Sequence, residues 1–459
     1  MFVGRRNEIK EIKKVLDTEK KSAVLIYGKR RVGKSYLINH VLDGYSCHKI
    51  YYECLDTSYE ENLRHFEDRV KEEFGNRFVH FTSFEEAFDY LKTTGERTAV
   101  VLDEYSYLKQ SKEKGYVDSV FQSIIDGMGD QIQLVLLGSF VSVMQELLEQ
   151  ENPLFGRFDL IIQLKDFDYY TSSEFYPIKT VKEKIELYGV FGGNPFVNDA
   201  VDPQLGLREN IINLVLNQNS SVRSYLENVL LKELSKTGPA NTILFSLSNG
   251  KKKYSMISSI TGLNTAGILD KQLKNLIKMD VISKKTPINR ENDRKKIFYE
   301  ISDNLVRFYY AYVFSKRDII ARIGAEAFYD LYIAPSLNSF ISYRFEDIAR
   351  QYFQRKVKQE KLKDVYDIGT YWYDDPINKK NGEFDCVLKH RDSYSFYEVK
   401  YYESPLEEQL CAKEEKEVRD LTNQMKIGII GFIALSGFDF QSQNYDLICA
   451  EELYDDALA

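Results

Sequence analysis

Cysteine is scarce in this chain, tryptophan almost absent, and long apolar runs are missing altogether. The five cysteines, Cys47, Cys54, Cys386, Cys411 and Cys449, form no Cys-x-x-Cys pair, and the chain holds only five histidines. Neither a zinc site nor a disulfide framework is suggested, so a reducing cytoplasm is the expected location. No run approaches the roughly 20 apolar residues that span a bilayer. The polar segment Gly4-Arg5-Arg6-Asn7-Glu8 begins almost at once after Met1 and leaves no room for a signal peptide. No membrane partner is expected. Excess positive charge is lacking too: the net charge is −8, so the chain as a whole does not attract nucleic acid and any such contact must be local. The single Trp372 among many Tyr and Phe points to core packing, not to a base-stacking platform.

What the chain does have is length and one sharp motif. Its 459 residues are enough for about three domains with cores of their own. Residues Gly28-Lys29-Arg30-Arg31-Val32-Gly33-Lys34-Ser35 fit G-x-x-x-x-G-K-[ST], between the apolar run Ala23-Val24-Leu25-Ile26-Tyr27 and a helical stretch opening at Tyr36. Gly28 and Gly33 let such a loop turn back so that backbone N–H groups and a helix dipole converge on one anion. Lys34 is placed to reach the β- and γ-phosphates of ATP, and the Ser35 hydroxyl to hold Mg²⁺.

Apolar runs at Ser22 to Tyr27, Ile50 to Glu53, Thr98 to Leu102 and Gln133 to Leu137 alternate with helical stretches at Glu60 to Phe74, Ser83 to Thr93 and Ser119 to Gly127. That alternation predicts an α/β fold, a parallel sheet with helices on both faces. The third run leads into Asp103-Glu104, where ligands sit in open α/β sheets. Asp103 is expected to bind Mg²⁺ through water and Glu104 to act as the base that orients the attacking water; alone, the pair could simply cap the next segment. The fourth run leads to Gly138-Ser139. Ser139 either senses the γ-phosphate through the attacking water or N-caps a helix from Val141 to Gln150.

Phe2-Val3-Gly4-Arg5-Arg6-Asn7-Glu8, the arginine-rich loop, Leu102-Asp103-Glu104, Gly138-Ser139 and Pro153-Leu154-Phe155-Gly156-Arg157 together resemble the archaeal-type ATPases of the AAA+/STAND group. The resemblance implies that Val3, Gly4 and Arg5 lie against the adenine. It also implies that Arg157 contacts the γ-phosphate. Phe158 follows Arg157 where the family often has a second arginine, so that second role is absent. Arg157 could act within one chain or, in trans, in a homo-oligomer; otherwise it pairs with a surface carboxylate such as Asp159 or Asp166. Phe191-Gly192-Gly193-Asn194-Pro195 resembles the opening of the family's helical lid, its glycines serving a turn or a close approach.

Residues 1–200 are thus expected to form the P-loop core and 201–240 a helical lid, with apolar positions at helical spacing from Leu205 to Lys236. Residues 241–315 read as a winged helix-turn-helix: helices Thr242 to Ser248, Tyr254 to Thr261 and Thr265 to Met279, a turn at Gly262-Leu263-Asn264, and strands near 281–283 and 297–301. Lys271, Lys274 and Lys278, backed by Lys284, Lys285, Arg290, Arg294, Lys295 and Lys296, could contact DNA, diluted by Asp270, Glu291 and Asp293; the alternative is a packing domain with solvated lysines. Asp303 to Tyr310 resembles the segment by which these ATPases leave the winged helix, and its aromatics read as a packing joint.

Residues 316–459 carry a second constellation. Phe345-Glu346-Asp347-Ile348-Ala349 is helical in period, and Gly382 to Leu388 and Tyr394 to Lys400 alternate as paired strands. Asp385 then lies near Glu398 and Lys400, two carboxylates beside a lysine, as Mg²⁺-dependent phosphodiester hydrolysis requires. The pattern resembles the PD-(D/E)XK nuclease core, a restriction-endonuclease-like α/β domain, with Asp385 and Glu398 as metal-binding acids, Lys400 as its lysine and Glu346 as the acid of its first helix. Gln409 could also face the site. A cross-strand ion pair is the plainer reading. The expected function is an ATP-hydrolysing, Mg²⁺-dependent P-loop ATPase coupled to a domain acting on nucleic acid, DNA in the first instance. The alternatives are an ATP-driven switch that binds DNA or a protein partner without cleavage, and a chaperone-like or signalling ATPase in which the winged helix is only scaffold.

Overall fold

The computed structural model describes residues 2–113, 115–230, 239–263, 267–375, 380–422 and 425–455. The chain divides into two units, Met1–Asp166 and Phe167–Ala459.

The first unit is built on five parallel strands: β1 Ser22–Tyr27, β2 His48–Glu53, β3 Thr98–Asp103, β4 Ile132–Gly138 and β5 Leu160–Gln163. Their order is β2-β3-β4-β1-β5. The three central strands are buried at every residue, which is why each reads as an unbroken apolar run instead of an alternating one. Val24 and Ile26 pack on one face, while Ala23, Leu25 and Tyr27 pack on the other. Register decides what the sheet presents. Tyr27 pairs with Gly138 and Leu102 with Leu136, so the C-terminal ends of β1, β3 and β4 finish within a residue of one another. Helices Tyr59–Phe74 and Phe84–Thr94 start on Ser58 and Ser83 side-chain caps and end on left-handed Gly75 and Gly95.

The second unit buries one continuous core that runs from Tyr169 to Leu453. Helices Tyr169–Ser173, Val181–Phe191 and Pro195–Ala200 contribute Tyr169, Ile185, Val190, Phe191 and Val197 to that core, so by packing they belong to the second unit. A Cβ on Gly193 would lie 1.8 Å from the Phe167 carbonyl oxygen, so this glycine serves close chain approach. The expected lid stretch is helical over residues 207–216 and 221–230, with a turn between, and its last residues, 231–236, lie outside the described residues.

Helices Ala240–Ser246, Tyr254–Thr261 and Ile268–Lys278 precede an antiparallel sheet in the order β6 Lys252–Lys253, β8 Phe298–Ile301, β7 Ile282–Lys285. Asn264, Thr265 and Ala266, at the expected turn and helix start, lie outside the described residues. Asp303 caps helix Asn304–Phe308, and Phe308, Tyr309 and Tyr310 are buried, as a packing joint requires. The 25-residue helix Ala334–Lys358 then leads to a five-stranded sheet of β9 Asp367–Asp375, β10 Lys380–Lys389, β11 Tyr394–Lys400, β12 Ile427–Ala434 and β13 Asp446–Cys449. Strands β9 to β11 are antiparallel and β11 to β13 parallel, with helix Glu408–Leu421 as the crossover.

A buried pair ties the first unit together behind the third strand. Lys109 Nζ meets Asp118 Oδ2 at 2.6 Å, Asn152 Nδ2 donates to the same oxygen at 2.8 Å, and Tyr105 OH donates to the other at 3.1 Å. Asp118 is fully buried, so Asp118→Ala leaves Lys109 with only the looser 3.6 Å contact to Glu146 and is expected to cost about 3–5 kcal/mol, read from urea unfolding. A second prediction concerns pH. His48 meets Glu73 at 2.9 Å and also Glu96; burial alone would lower its pKa, but the two carboxylates outweigh it and raise it above 6.5. Its stabilisation is therefore complete below pH 6.5 and lost as pH rises through the raised value. The stability gap between the parent and His48→Gln should be larger at pH 6 than at pH 9.

Candidate functional site

The loop between β1 and helix Lys34–Leu42 has the shape of an anion cradle. Arg31 and Gly33 take left-handed backbone conformations, φ 63° and 94°, which turn successive N–H groups toward one concavity. Gly28 has no room for a side chain: a Cβ there would lie 2.2 Å from the Leu164 carbonyl oxygen. Lys34 is 6% exposed and donates to the Gly28 and Lys29 carbonyls at 2.9 and 3.1 Å, so its ammonium already sits inside the loop. Lys29 pairs with Asp166 at 3.0 Å, and Arg30 donates to Tyr107 OH at 2.7 Å while lying over the Phe140 ring. The loop is thereby fastened to the segments that follow β3, β4 and β5.

The opening segment packs on this loop. Arg5 donates to the carbonyls of Val32 at 3.1 Å and Lys165 at 2.7 Å, Gly4 and Arg5 both have positive φ, and Val3 is buried. Phe2 stacks on Tyr36 and His40 of the following helix. Val3, Gly4, Arg5, Val32 and Tyr36 are therefore gathered at one side of the cradle.

Asp103 draws the rest together. Its Oδ2 accepts from Ser35 Oγ at 2.5 Å and from Tyr51 OH, and its Oδ1 accepts from the Glu104 N–H at 2.8 Å. Burial, followed by the Asp103 charge, raises the Tyr51 phenol pKa, so Tyr51 stays a donor. A hydroxyl and a carboxylate in contact form an all-oxygen donor set, which suits Mg²⁺, an ion that keeps several of its own waters. Glu104 adopts φ 52°, an uncommon conformation for a side-chain-bearing residue. It aims its carboxylate at Ser139, whose Oγ and N–H donate to Oε2 at 2.7 and 3.2 Å. Ser139 does not cap the next helix: that helix is Val141–Glu146, its N-cap position is Phe140, and it ends short of Gln150.

Arg157 stands elsewhere. It grips Asp126 through Nε and Nη2 at 3.0–3.2 Å and donates to the Pro153 carbonyl at 2.9 Å. Lys21, just before β1, bonds the carbonyls of Ile125 and Asp126, and Asp159 accepts from the Ala23 N–H. Arg157 thus sits at the N-terminal edge of β1, separated from the cradle by the strand's length, roughly 20 Å for six residues. It does not reach the phosphate site of its own chain. Its carboxylate partner is Asp126, not Asp159 or Asp166, because the helix ending at Gly127 comes back beside the start of β1.

In the second unit, the β10–β11 ladder ends where Cys386 pairs with Tyr397, so Asp385 lies just beyond its last rung, near enough for Glu398 to feel its charge. The β10–β9 register shifts between Phe384 and Val387, a bulge that re-aims the side chain of Asp385. Arg350 donates to the Asp385 carbonyl and to Asp347, holding the bulge against helix Ala334–Lys358. Lys400 pairs with Glu398 and with Glu414, each at 3.1 Å. Burial raises the pKa of Asp385 and of Glu398, and burial with the Asp385 charge pushes Glu346 up to about 8. Burial would lower Lys400, but Glu398 and Glu414 outweigh it and raise it. These acids are short of positive charge, the condition a bound cation relieves. Among the described residues no three His, Cys, Asp or Glu groups converge closely enough to hold a metal. No contact places Gln409 at this site. Glu414, one helical turn into the crossover, was not legible because its contact with Lys400 spans 14 residues and two elements.

The basic residues of the middle segment are dispersed. Lys274 pairs with Asp270, Lys285 with Glu300 and Glu291 with Lys389, while Lys296 lies over the Trp372 ring.

Comparison with known proteins bears on both ends of the chain. Residues 2–197 match a family described as an ATPase domain predominantly from Archaea, and residues 309–418 match a family described as archaea bacterial proteins of unknown function. An uncharacterized protein of Methanocaldococcus jannaschii is 28% identical over 408 residues, covering 87% of this chain and 88% of that protein. Among solved structures, a Walker-type ATPase of Pyrococcus abyssi shares the fold at 21% identity and a TM-score of 0.50, covering 67% of this chain and 96% of that one. The ORC2 protein of Aeropyrum pernix, solved as ADPNP–ADP complexes, is 13% identical with a TM-score of 0.46, covering 69% of this chain and 94% of that one. Over residues 2–197, on the parallel α/β sheet, the chain is thus similar to an ATPase domain of archaeal type, and over residues 309–418 to proteins of unknown function.

Proposed function

We propose that the first unit binds and hydrolyses ATP with Mg²⁺, and that the acids of the C-terminal sheet cut nucleic acid. The observation that carries the first half is the 2.5 Å contact between Ser35 and Asp103, with the Glu104 carboxylate set beside Ser139 at the same edge of the sheet. Phosphate oxygens replace the Gly28 and Lys29 carbonyls as partners of Lys34, and the adenine lies toward Val3, Gly4 and Arg5. Ser35 and Asp103 hold Mg²⁺, which supplies positive charge against the phosphates when bound. Glu104 takes the proton from a water that attacks the γ-phosphorus, and Ser139 keeps that carboxylate aimed. Any role for Arg157 at a γ-phosphate then belongs to a second copy of the chain.

The second half rests on Lys400 paired with Glu398, with Glu398 and Glu346 both close enough to feel the Asp385 charge. Asp385 and Glu398 hold Mg²⁺, and Lys400 steadies the charge that develops on the phosphate. Helices Ala240–Ser246 to Ile268–Lys278 with the β6-β8-β7 sheet form a winged helix-turn-helix in this reading. Its paired lysines favour a packing role over a DNA-reading one.

Lys34→Ala is expected to abolish ATP binding in isothermal titration. Glu104→Gln should bind ATP like the parent while turnover drops by about 10²–10⁴, the usual worth of a general base; unchanged phosphate release would sink its assignment. Cleavage of labelled DNA or RNA with Mg²⁺ should disappear in Asp385→Ala and in Lys400→Ala, with ATP turnover retained. Cleavage surviving both substitutions would show that the acids do other work.

A further inference from the structure

A cavity of about 940 Å³ opens in the second unit, with Glu346 and Asp385 in its wall. Along one side runs a single face of helix Ala334–Lys358: Ser336, Phe340, Tyr343, Asp347, Arg350 and Gln354, spaced by three or four residues. From Ser336 to Gln354 that face is about 27 Å long at 1.5 Å per residue. Lys251, Lys284, Lys285 and Phe298, from the strands β6, β7 and β8 and the turn before them, line the cavity as well.

We propose that this cavity takes one single strand of nucleic acid and leads it to Asp385. The inference rests on the nuclease reading above and adds the form of the substrate. Spread over the helix face, that volume makes a narrow channel. That suits one extended strand and is too narrow for a double helix, whose major groove alone is about 12 Å wide.

Charge and rings agree with a strand. Seven Lys and Arg line the cavity against six Asp and Glu, in a chain whose net charge is −8. Two of those six acids are Glu346 and Asp385, the groups short of positive charge. Among the described residues Lys284 and Lys316 take part in no ion pair, which leaves both ammonium groups for phosphates. Arg344 is 5% exposed; it pairs with Asp347 at 2.8 Å while its Nε has no hydrogen-bond partner, a buried donor suited to a phosphate oxygen. Tyr343 is 63% exposed on the same helix, and Tyr332 stacks on Phe328 with its outer surface open. Exposed rings beside cations are what a strand's bases stack on, whatever their sequence.

The test uses the full chain carrying Asp385→Ala, without Mg²⁺, and fluorescein-labelled 12-mers of DNA, of RNA and of blunt duplex, followed by anisotropy. Single strands should bind at least tenfold tighter than duplex, and the DNA and RNA arms decide between the two sugars. Tyr343→Ala should weaken the single strand by about fivefold to a hundredfold, the range for loss of one stacked base. Lys284→Glu with Lys316→Glu should flatten the slope of log K against log salt by about 1.4, two phosphates at roughly 0.7 each. Both lysines and Tyr343 are at least partly exposed, and an unchanged circular dichroism spectrum checks that the variants fold. Duplex binding as tight as single strand, or variants that bind like the parent, would overturn the proposal. Strand binding in the cavity without cleavage by the Mg²⁺-supplied parent would overturn the nuclease reading and leave this one standing.

Discussion

The Asp103 carboxylate is the contact on which the first unit's site depends. One oxygen takes the Ser35 hydroxyl and the Tyr51 phenol; the other takes the N–H of its own successor, Glu104. That last bond accompanies the left-handed turn at Glu104, which swings the carboxylate off the strand axis toward Ser139. An extended Glu104 would continue β3 and alternate to the far face of the sheet. The register of β1, β3 and β4 makes the convergence possible, because strands ending at different levels would leave Ser35, Asp103 and Ser139 apart. A local strain of the order of 1–3 kcal/mol is tolerable here because a fully buried sheet fixes the backbone on either side.

How much of this was legible in the sequence follows from burial. The central strands could be read almost to the residue because they are apolar throughout, and the phosphate loop because its glycines are conformationally required. Strand β5 could not: it is four residues long, with Ile161 46% exposed, and lacks both alternation and an unbroken run. Yet the residues around and after it supply Leu164, Lys165 and Asp166, three of the contacts that shape the cradle. Tyr51 was invisible for another reason. In Ile50-Tyr51-Tyr52-Glu53 both tyrosines look alike, and only the face assignment sends Tyr51 to Asp103 and Tyr52 to Asn62.

Arg157 shows the limit of motif transfer. A short pattern after Pro153 marked an arginine in the right sequence neighbourhood, but its place depends on where the preceding helix returns. Here that helix returns to the N-terminal edge of the sheet, and the arginine satisfies a carboxylate there. The C-terminal acids are a mixed case: the hairpin that sets Cys386 against Tyr397 was legible, while the bulge between Phe384 and Val387 that governs Asp385 was not.

The state of those acids carries the last step. A structural ion-pair network normally gives each buried charge its partner, as Asp118 has in Lys109 in the first unit. Around Asp385 the match fails: Arg350 is directed to Asp347 and to a carbonyl, Lys400 is shared between Glu398 and Glu414, and Glu346 is left with a pKa near 8. A cluster of that kind costs folding free energy that an apolar replacement would not.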